Sequence, residues 1–289
     1  MSVVLSGNWQ LAGGRLLDCS RPRVMAIINA TPDSFHPGSR LATESGERRA
    51  QLSMVLEQGP DILDVGGQST RPGSARVGAA EELRRVVPVI EELRRLDAAV
   101  PITIDTYHAE VARAALAAGA DAVNDISAGA LDPQLTELVA CCDCGYVLMH
   151  MQGTPETMQQ EPSYDNCHQE IRGFFERELA RLERAGIARE RVVLDPGIGF
   201  GKRMGDNLDL ITWARSFLDL GRPLLYGVSL KRFIGELSGE QETERRVSGT
   251  LGVIWELLNQ GVMIHRVHDA ATARQMINVW MGLRGISGE

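Results

Sequence analysis

Short apolar runs recur along the whole chain, at Val24–Ile28, Ile62–Val65, Ile102–Ile104, Ala122–Val123, Tyr146–Met149, Val192–Leu194, Leu224–Val228 and Met263–Val267. Each is about strand length, and most lack alternation with polar residues. That pattern predicts parallel strands covered on both faces. Between the runs the period changes. In Ala79–Leu96, the residues Leu83, Val86, Val87, Ile90 and Leu93 recur three or four apart with charges on the opposite face, as in an amphipathic helix. Tyr107–Ala118, Ile171–Ala185 and Ser248–Gln260 read as further helices, each followed by a capping glycine (Gly119, Gly186, Gly261). Strand and helix alternate from end to end with no linker, low-complexity segment or charge block. The expectation is an α/β protein, a (β/α)8 TIM barrel forming a single domain over residues 1–289, with a short N-terminal extension at about 1–22. An open doubly wound sheet would carry G-x-G-x-x-G after its first strand, and that signature is absent there.

The strand ends then become the informative places. After the first comes Asn29-Ala30-Thr31-Pro32-Asp33-Ser34-Phe35, and after the second Gly66-Gly67-Gln68-Ser69-Thr70-Arg71-Pro72-Gly73. The third ends in Asp105-Thr106, the fourth in Asn124-Asp125-Ile126-Ser127, and the fifth in His150-Met151-Gln152-Gly153-Thr154-Pro155. The sixth ends in Asp195-Pro196-Gly197-Ile198-Gly199-Phe200-Gly201-Lys202, the seventh in Ser229-Leu230-Lys231, and the eighth in His268-Asp269 with Arg266 just before. In a barrel these ends meet on one rim, where active sites of this fold are built.

Composition narrows the field. The formal net charge of -8 argues against a nucleic-acid footprint or a basic membrane surface, and any anionic substrate needs a local positive pocket. The five cysteines are Cys19, Cys141, Cys142, Cys144 and Cys167. Their odd number and crowding do not form a disulfide framework, and no second ligand pair supports a metal site at Cys141–Cys144. No stretch approaches the ~20 apolar residues of a membrane span, so the expected address is the cytoplasm.

The motifs NATPDSF, DVGGQSTRPG, TIDT, NDISAG, LMHMQGTPETMQ, DPGIGFGK, GVSLKRFIG and RVHD, in this order from about Val24 to Asp269, resemble those of the dihydropteroate synthase family. The resemblance implies condensation of p-aminobenzoate with 6-hydroxymethyl-7,8-dihydropterin diphosphate, releasing pyrophosphate, with Mg²⁺ as cofactor, and a homodimer. It implies pterin contacts from Asp105, Asn124, Asp195 and Lys231. Asn29, Arg266 and His268 would hold the diphosphate, with Asn29 helping to hold the metal. The p-aminobenzoate pocket would draw on Phe35, Thr70, Arg71, Pro72, Phe200 and Ser229, with Lys231 in its wall. Lys231, Arg266, His268 and Asp105 would carry the catalysis, in which pyrophosphate departs before the aniline nitrogen attacks. These types suit the chemistry: carboxylates and an amide match a ring edge of N–H donors and a carbonyl, and cations match a leaving anion.

Plainer roles compete. Asp33, Asp105 and Asp125 are each suited to capping a helix. Asp64, inside an apolar strand, suits a structural acceptor. His150, His265 and His268 suit core or rim positions, and Arg181, Arg184 and Arg189 suit a solvated helix face and its exit. Lys202 follows a glycine-rich loop without P-loop spacing. Three positions depart from the family's usual pattern: Leu230 replaces an arginine, Gln68 replaces a glutamate, and Ile198 stands where phenylalanine is common. Leu230 puts either the p-aminobenzoate carboxylate contact or the local packing in question, with altered affinity for p-aminobenzoate or its sulfonamide mimics as the consequence. Two other readings remain: a non-catalytic pterin-binding paralogue, and a pterin-dependent methyltransferase, which has no use for the diphosphate set or the STRPG loop.

Overall fold

The computed structural model describes residues 7–31, 45–68 and 77–286. A two-stranded antiparallel hairpin, β1 (Trp9–Gln10) and β2 (Leu16–Leu17), leads into the barrel strands. These are β3 (Arg23–Asn29), β4 (Ile62–Gly66), β5 (Ile102–Asp105), β6 (Ala122–Asp125), β7 (Gly145–Met149), β8 (Val192–Asp195), β9 (Leu225–Tyr226) and β10 (Ile264–Val267). The order is β8-β7-β6-β5-β4-β3-β10-β9, all parallel. A parallel bridge from Leu194 to Leu224, with Leu194 N–H donating to the Pro223 carbonyl at 3.0 Å, closes β8 onto β9.

Nine α-helices stand among the described residues: α1 (Ser45–Glu57), α2 (Ala79–Leu96), α3 (Ala109–Ala117), α4 (Pro133–Cys141), α5 (Cys167–Arg184), α6 (Met204–Thr212), α7 (Arg232–Ser238), α8 (Val247–Asn259) and α9 (Ala270–Gly282). The α2 boundaries match the sequence expectation, while α3 begins two residues later than expected and α5 four earlier. Capping explains these ends. Asp132 accepts from Gln134 N–H, Asn166 from Gln169 N–H and Asp269 from Thr272 N–H, so these residues start α4, α5 and α9. Asp105 and Asp125 cap no helix. The N-cap of α3 is His108, and Asp125 instead binds the N–H groups of Ser127 and Gly129 in the β6–α4 turn.

Side chains alternate across each strand, so one parity faces the helices and the other fills the barrel. The interior parity begins with an apolar floor of Met25, Ile62, Ala122, Val147, Val193, Leu225 and Ile264. The hairpin seals this floor from below with Trp9, Leu11 and Cys19. Trp9 is fully buried, and its indole N–H donates to the Arg191 carbonyl at 2.8 Å. Gly145 makes room for it, since a Cβ there would lie 2.8 Å from the indole nitrogen. Two residues further along four strands the interior turns polar: Ile62 gives way to Asp64, Ala122 to Asn124, Val193 to Asp195 and Ile264 to Arg266. The fold thus places a charged layer directly above an oily one, at the end of the barrel where the strand-to-helix loops gather.

Candidate active site

Arg266 lies at the centre of this polar layer. Its Nε donates to Asp64 Oδ2 at 2.6 Å, and one terminal nitrogen donates to Asp105 Oδ2 at 2.7 Å. Gly227, the neighbour on the β9 side, contributes no side chain; a Cβ there would sit 3.9 Å from the arginine's Cβ and Cδ. Asp64 is fully buried and also accepts from the Thr103 hydroxyl and from Asn124 Nδ2 at 3.2 and 3.3 Å. It is the structural acceptor its sequence context suggested, and it links Arg266 to Asn124.

Electrostatics in this layer are strained toward protonation. Burial pushes the Asp105 carboxyl up to about 7; Arg266 opposes the shift, while Asp64 and Asp125 reinforce it. Burial likewise raises Asp195 to about 6, against the Gly197 N–H bonded to Oδ1 at 2.7 Å and the cations Lys231 and Lys202. One guanidinium shared between two buried carboxylates cannot fully compensate both. A ligand edge that brings N–H donors to Asp105 and Asp195 would relieve that deficit.

Two lysines flank the layer. Lys231 Nζ donates to the Ile198 carbonyl at 2.6 Å and stands 4.4 Å from the Phe200 ring centroid, a cation–π distance. Lys202 is buried, with its ammonium between His150 Nδ1 (3.1 Å), the His150 carbonyl (3.2 Å) and the Phe200 carbonyl (2.9 Å). Burial lowers the Lys202 ammonium to about 7; burial and the adjacent Lys202 charge lower the His150 imidazole to about 2, so His150 is a neutral acceptor. This clamp joins the β7 and β8 loops. They approach so closely that a Cβ on Gly197 (φ +68°) would lie 2.1 Å from the His150 carbonyl oxygen. His150 and Lys202 therefore shape the rim, and only the glycine-rich spacing of Gly197–Gly201 hinted at it.

His268 pairs through Nδ1 with Ser229 Oγ at 3.0 Å, tying the ends of β10 and β9 together. Asn29 ends β3 in register with Gly66 of β4. Phe200 packs with Met151 and Leu131 against a small apolar cluster of Tyr107, Ile126 and Met149, giving the rim an apolar wall. The structure thus joins Asp105 to Arg266, Asn124 to Asp64, Lys231 to Phe200 and Ser229 to His268. Phe35, Thr70, Arg71, Pro72 and Asp33 lie outside the described residues.

Leu230 lines a small cavity against α8 and α9. It is buried among Val247, Thr250, Leu251 and Ile254 of α8 and Ala273 of α9, and its N–H donates to Thr250 Oγ1 at 3.0 Å. Its φ of +59° is left-handed, which turns Ser229 and Lys231 toward the rim on either side of it. Of the two consequences raised by this departure, the described residues bear on local packing, while the p-aminobenzoate loops lie outside them. His265 is a core residue, fully buried and bonded to the Val262 carbonyl. Arg181 is no solvated ornament: it reaches the Ala128 carbonyl at 2.9 Å and braces the β6–α4 turn.

The profile of the pterin binding enzymes matches residues 25–268. The dihydropteroate synthase of Escherichia coli strain K12 is 41% identical over 270 residues, covering 93% of this chain and 94% of the relative. This chain belongs to the dihydropteroate synthase family. Structures agree. A Xanthomonas albilineans dihydropteroate synthase with 4-aminobenzoic acid superposes with a TM-score of 0.87 at 40% identity, covering 98% of this chain and 100% of that one. The same species' dihydropteroate synthase in complex with 7,8-dihydropteroate gives 0.83 at 36% identity, with the same coverage. Among the described residues no helix is long and apolar enough to cross a membrane.

Proposed function

We propose that the protein joins p-aminobenzoate to 6-hydroxymethyl-7,8-dihydropterin diphosphate, giving 7,8-dihydropteroate and pyrophosphate. The observation that carries this reading is the polar layer itself: Asp105, Asn124 and Asp195 beside Arg266, with Lys231 at its edge. In the proposal the two aspartates and the asparagine take the pterin's N–H edge, and Lys231 donates to its ring carbonyl. Arg266 and His268 face the diphosphate. The C–O bond to the diphosphate breaks first, with the leaving charge held by Arg266 and the His268 ring. The aniline nitrogen then forms the new C–N bond and gives up a proton. No side chain acts as a nucleophile; the rate comes from orienting two substrates and stabilising charge. Phe200 and Ser229, with Phe35, Thr70, Arg71 and Pro72, are assigned to p-aminobenzoate.

Mg²⁺ belongs to the proposal as the diphosphate's counterion. Among the described residues no cluster of three acidic, histidine or cysteine side chains is set to hold a metal. That suits an ion which keeps its waters and is held by substrate phosphates with one or two protein oxygens. The Asn29 side-chain oxygen is the hard donor assigned to it, and the ion would supply charge neutralisation. A cytoplasmic homodimer acting on small molecules completes the reading, in keeping with the family.

The division of labour is testable by calorimetry with separate halves of the substrate. Asp195→Ala should weaken 6-hydroxymethyl-dihydropterin by at least about tenfold, one charge-assisted hydrogen bond. His268→Ala should weaken pyrophosphate with Mg²⁺ and leave the free pterin unaffected. Equal losses for both ligands in both variants would defeat the assignment.

A further inference from the structure

The β8 loop that carries Phe200 has no regular structure, yet each carbonyl from Gly197 to Gly201 is met by a donor. Gly197 accepts from the Phe200 N–H at 3.0 Å, Ile198 from Lys231 at 2.6 Å and Gly199 from Gln159 Nε2 at 2.8 Å. Phe200 accepts from Lys202 at 2.9 Å, and Gly201 from the Tyr164 hydroxyl at 2.8 Å. Gln159 is exposed, so water can take over its bond. Lys202 is 3% exposed, too deep for solvent to replace it.

Lys202 bonds at three points: the Phe200 carbonyl, the His150 carbonyl and His150 Nδ1. His150 is itself fixed. Its N–H donates to the Asp195 carbonyl at 3.0 Å, at the end of β8, and its ring lies edge-on to Phe174 of α5 with centroids 4.8 Å apart. The ammonium therefore ties the Phe200 carbonyl to the end of a barrel strand. An ammonium among neutral acceptors costs more to bury than an apolar side chain of the same length. Its three N–H groups are what an apolar side chain lacks.

Phe200 is where the tie acts. Its ring is half-buried and stands 4.4 Å from Lys231 Nζ. Gly199 (φ +81°) and Gly201 (φ +62°) flank it, and both have the backbone freedom to let the residue between them turn. Without Lys202 the Phe200 carbonyl has no donor in the interior. An unmet buried carbonyl is costly, and the remedy open to it is to turn outward to water, carrying the ring along.

We infer that Lys202 is a positioning residue for p-aminobenzoate, holding from beneath the rim the Phe200 wall on which that substrate rests. The inference rests on the proposed reaction, in which Phe200 serves p-aminobenzoate. The pterin contacts are built otherwise: Asp105, Asn124 and Asp195 lie on β5, β6 and β8 themselves. Loss of Lys202 should accordingly separate the two substrates.

Lys202→Met keeps the length of the stem and deletes the donors. Steady-state kinetics with each substrate varied in turn should show the Michaelis constant for p-aminobenzoate rising by about tenfold, the ratio that goes with one charge-assisted hydrogen bond. The constant for the pterin diphosphate should stay within about threefold of native. Hydrogen exchange locates the cause. The Gly199 and Phe200 amides, which bond to Asn207 Oδ1 and the Gly197 carbonyl, should exchange at least about tenfold faster in the variant, with β5 and β6 unchanged. His150→Leu removes one of the three acceptors and is the milder variant if Lys202→Met fails to fold. It should give the same ordering of the two constants, with a rise of about threefold for p-aminobenzoate. Equal rises for both substrates would mean that Lys202 acts through its charge on Asp195 or on the barrel as a whole. An unchanged p-aminobenzoate constant in a folded variant would mean that Phe200 holds without it. Either result overturns the inference and leaves the proposed reaction standing. No product from the native protein overturns the reaction, and the inference with it.

Discussion

Replacing Arg266 by methionine probes the charged layer directly. The substitution keeps an unbranched stem and deletes the guanidinium that bridges Asp64, fully buried, and Asp105, 9% exposed. Removing one partner of a buried ion pair typically costs about 3–5 kcal/mol, because the other charge is left uncompensated. Asp64 keeps its Thr103 and Asn124 donors, so Asp105 should respond by taking a proton. Burial raises the Asp105 carboxyl in the folded native protein to about 7, well above the ordinary carboxylate range. A carboxyl raised on folding supports stability at low pH, and that support is lost as pH rises through the folded value. Between pH 5.5 and 8 the native protein should lose about 2 kcal/mol through this group, at about 1.4 kcal/mol per unit up to pH 7. With Arg266 gone the carboxyl should stay protonated past pH 8, and the corresponding loss becomes about 3.4 kcal/mol. Arg266→Met should therefore be more damaging at pH 8 than at pH 5.5 by about 1.4 kcal/mol, with Asp195 adding in the same direction. Urea unfolding of both proteins at the two pH values measures the difference. Equal penalties at both would refute the claim that Arg266 compensates Asp105.

Three further outcomes follow from the geometry. Trp9→Ala should cost about 3–5 kcal/mol in chemical denaturation, because it empties the seal beneath the barrel floor and leaves the Arg191 carbonyl without its indole donor; a loss under about 1 kcal/mol would mean the hairpin is not part of the core. Gly197→Ala should keep the barrel's circular dichroism but abolish p-aminobenzoate turnover, since the added Cβ would meet the His150 carbonyl and force the β8 loop aside; native kinetics would show that the β7 and β8 loops can part without consequence. Leu230→Arg should leave the Michaelis constant for p-aminobenzoate and sulfonamide inhibition within about twofold of native, because residue 230 points between α8 and α9. A larger change in either would return that side chain to the substrate pocket.

The alternation of strand and helix was legible because parallel strands buried on both faces leave uninterrupted apolar runs. The partners of the charges at the strand ends were not legible. Arg266 meets Asp64 across 202 positions and Asp105 across 161, distances at which only the closed barrel decides who is adjacent. Capping was misplaced for the same reason. An aspartate at a strand end looks alike whether it starts a helix, as Asp132 does, or turns inward, as Asp105 does. The Lys202–His150 clamp joins two loops far apart in sequence, so it leaves no motif. The hairpin under the barrel carries too few residues to show a period, yet Trp9 is as buried as any strand residue.

The most direct test of the central claim is pyrophosphate release from 6-hydroxymethyl-7,8-dihydropterin diphosphate with Mg²⁺, with and without p-aminobenzoate, by the native protein and by Lys231→Ala. Release that rises with p-aminobenzoate, yields dihydropteroate and falls by at least about a hundredfold in the variant is the predicted result, a loss of about 2.7 kcal/mol of transition-state stabilisation. Pterin binding without product at any p-aminobenzoate concentration would contradict it.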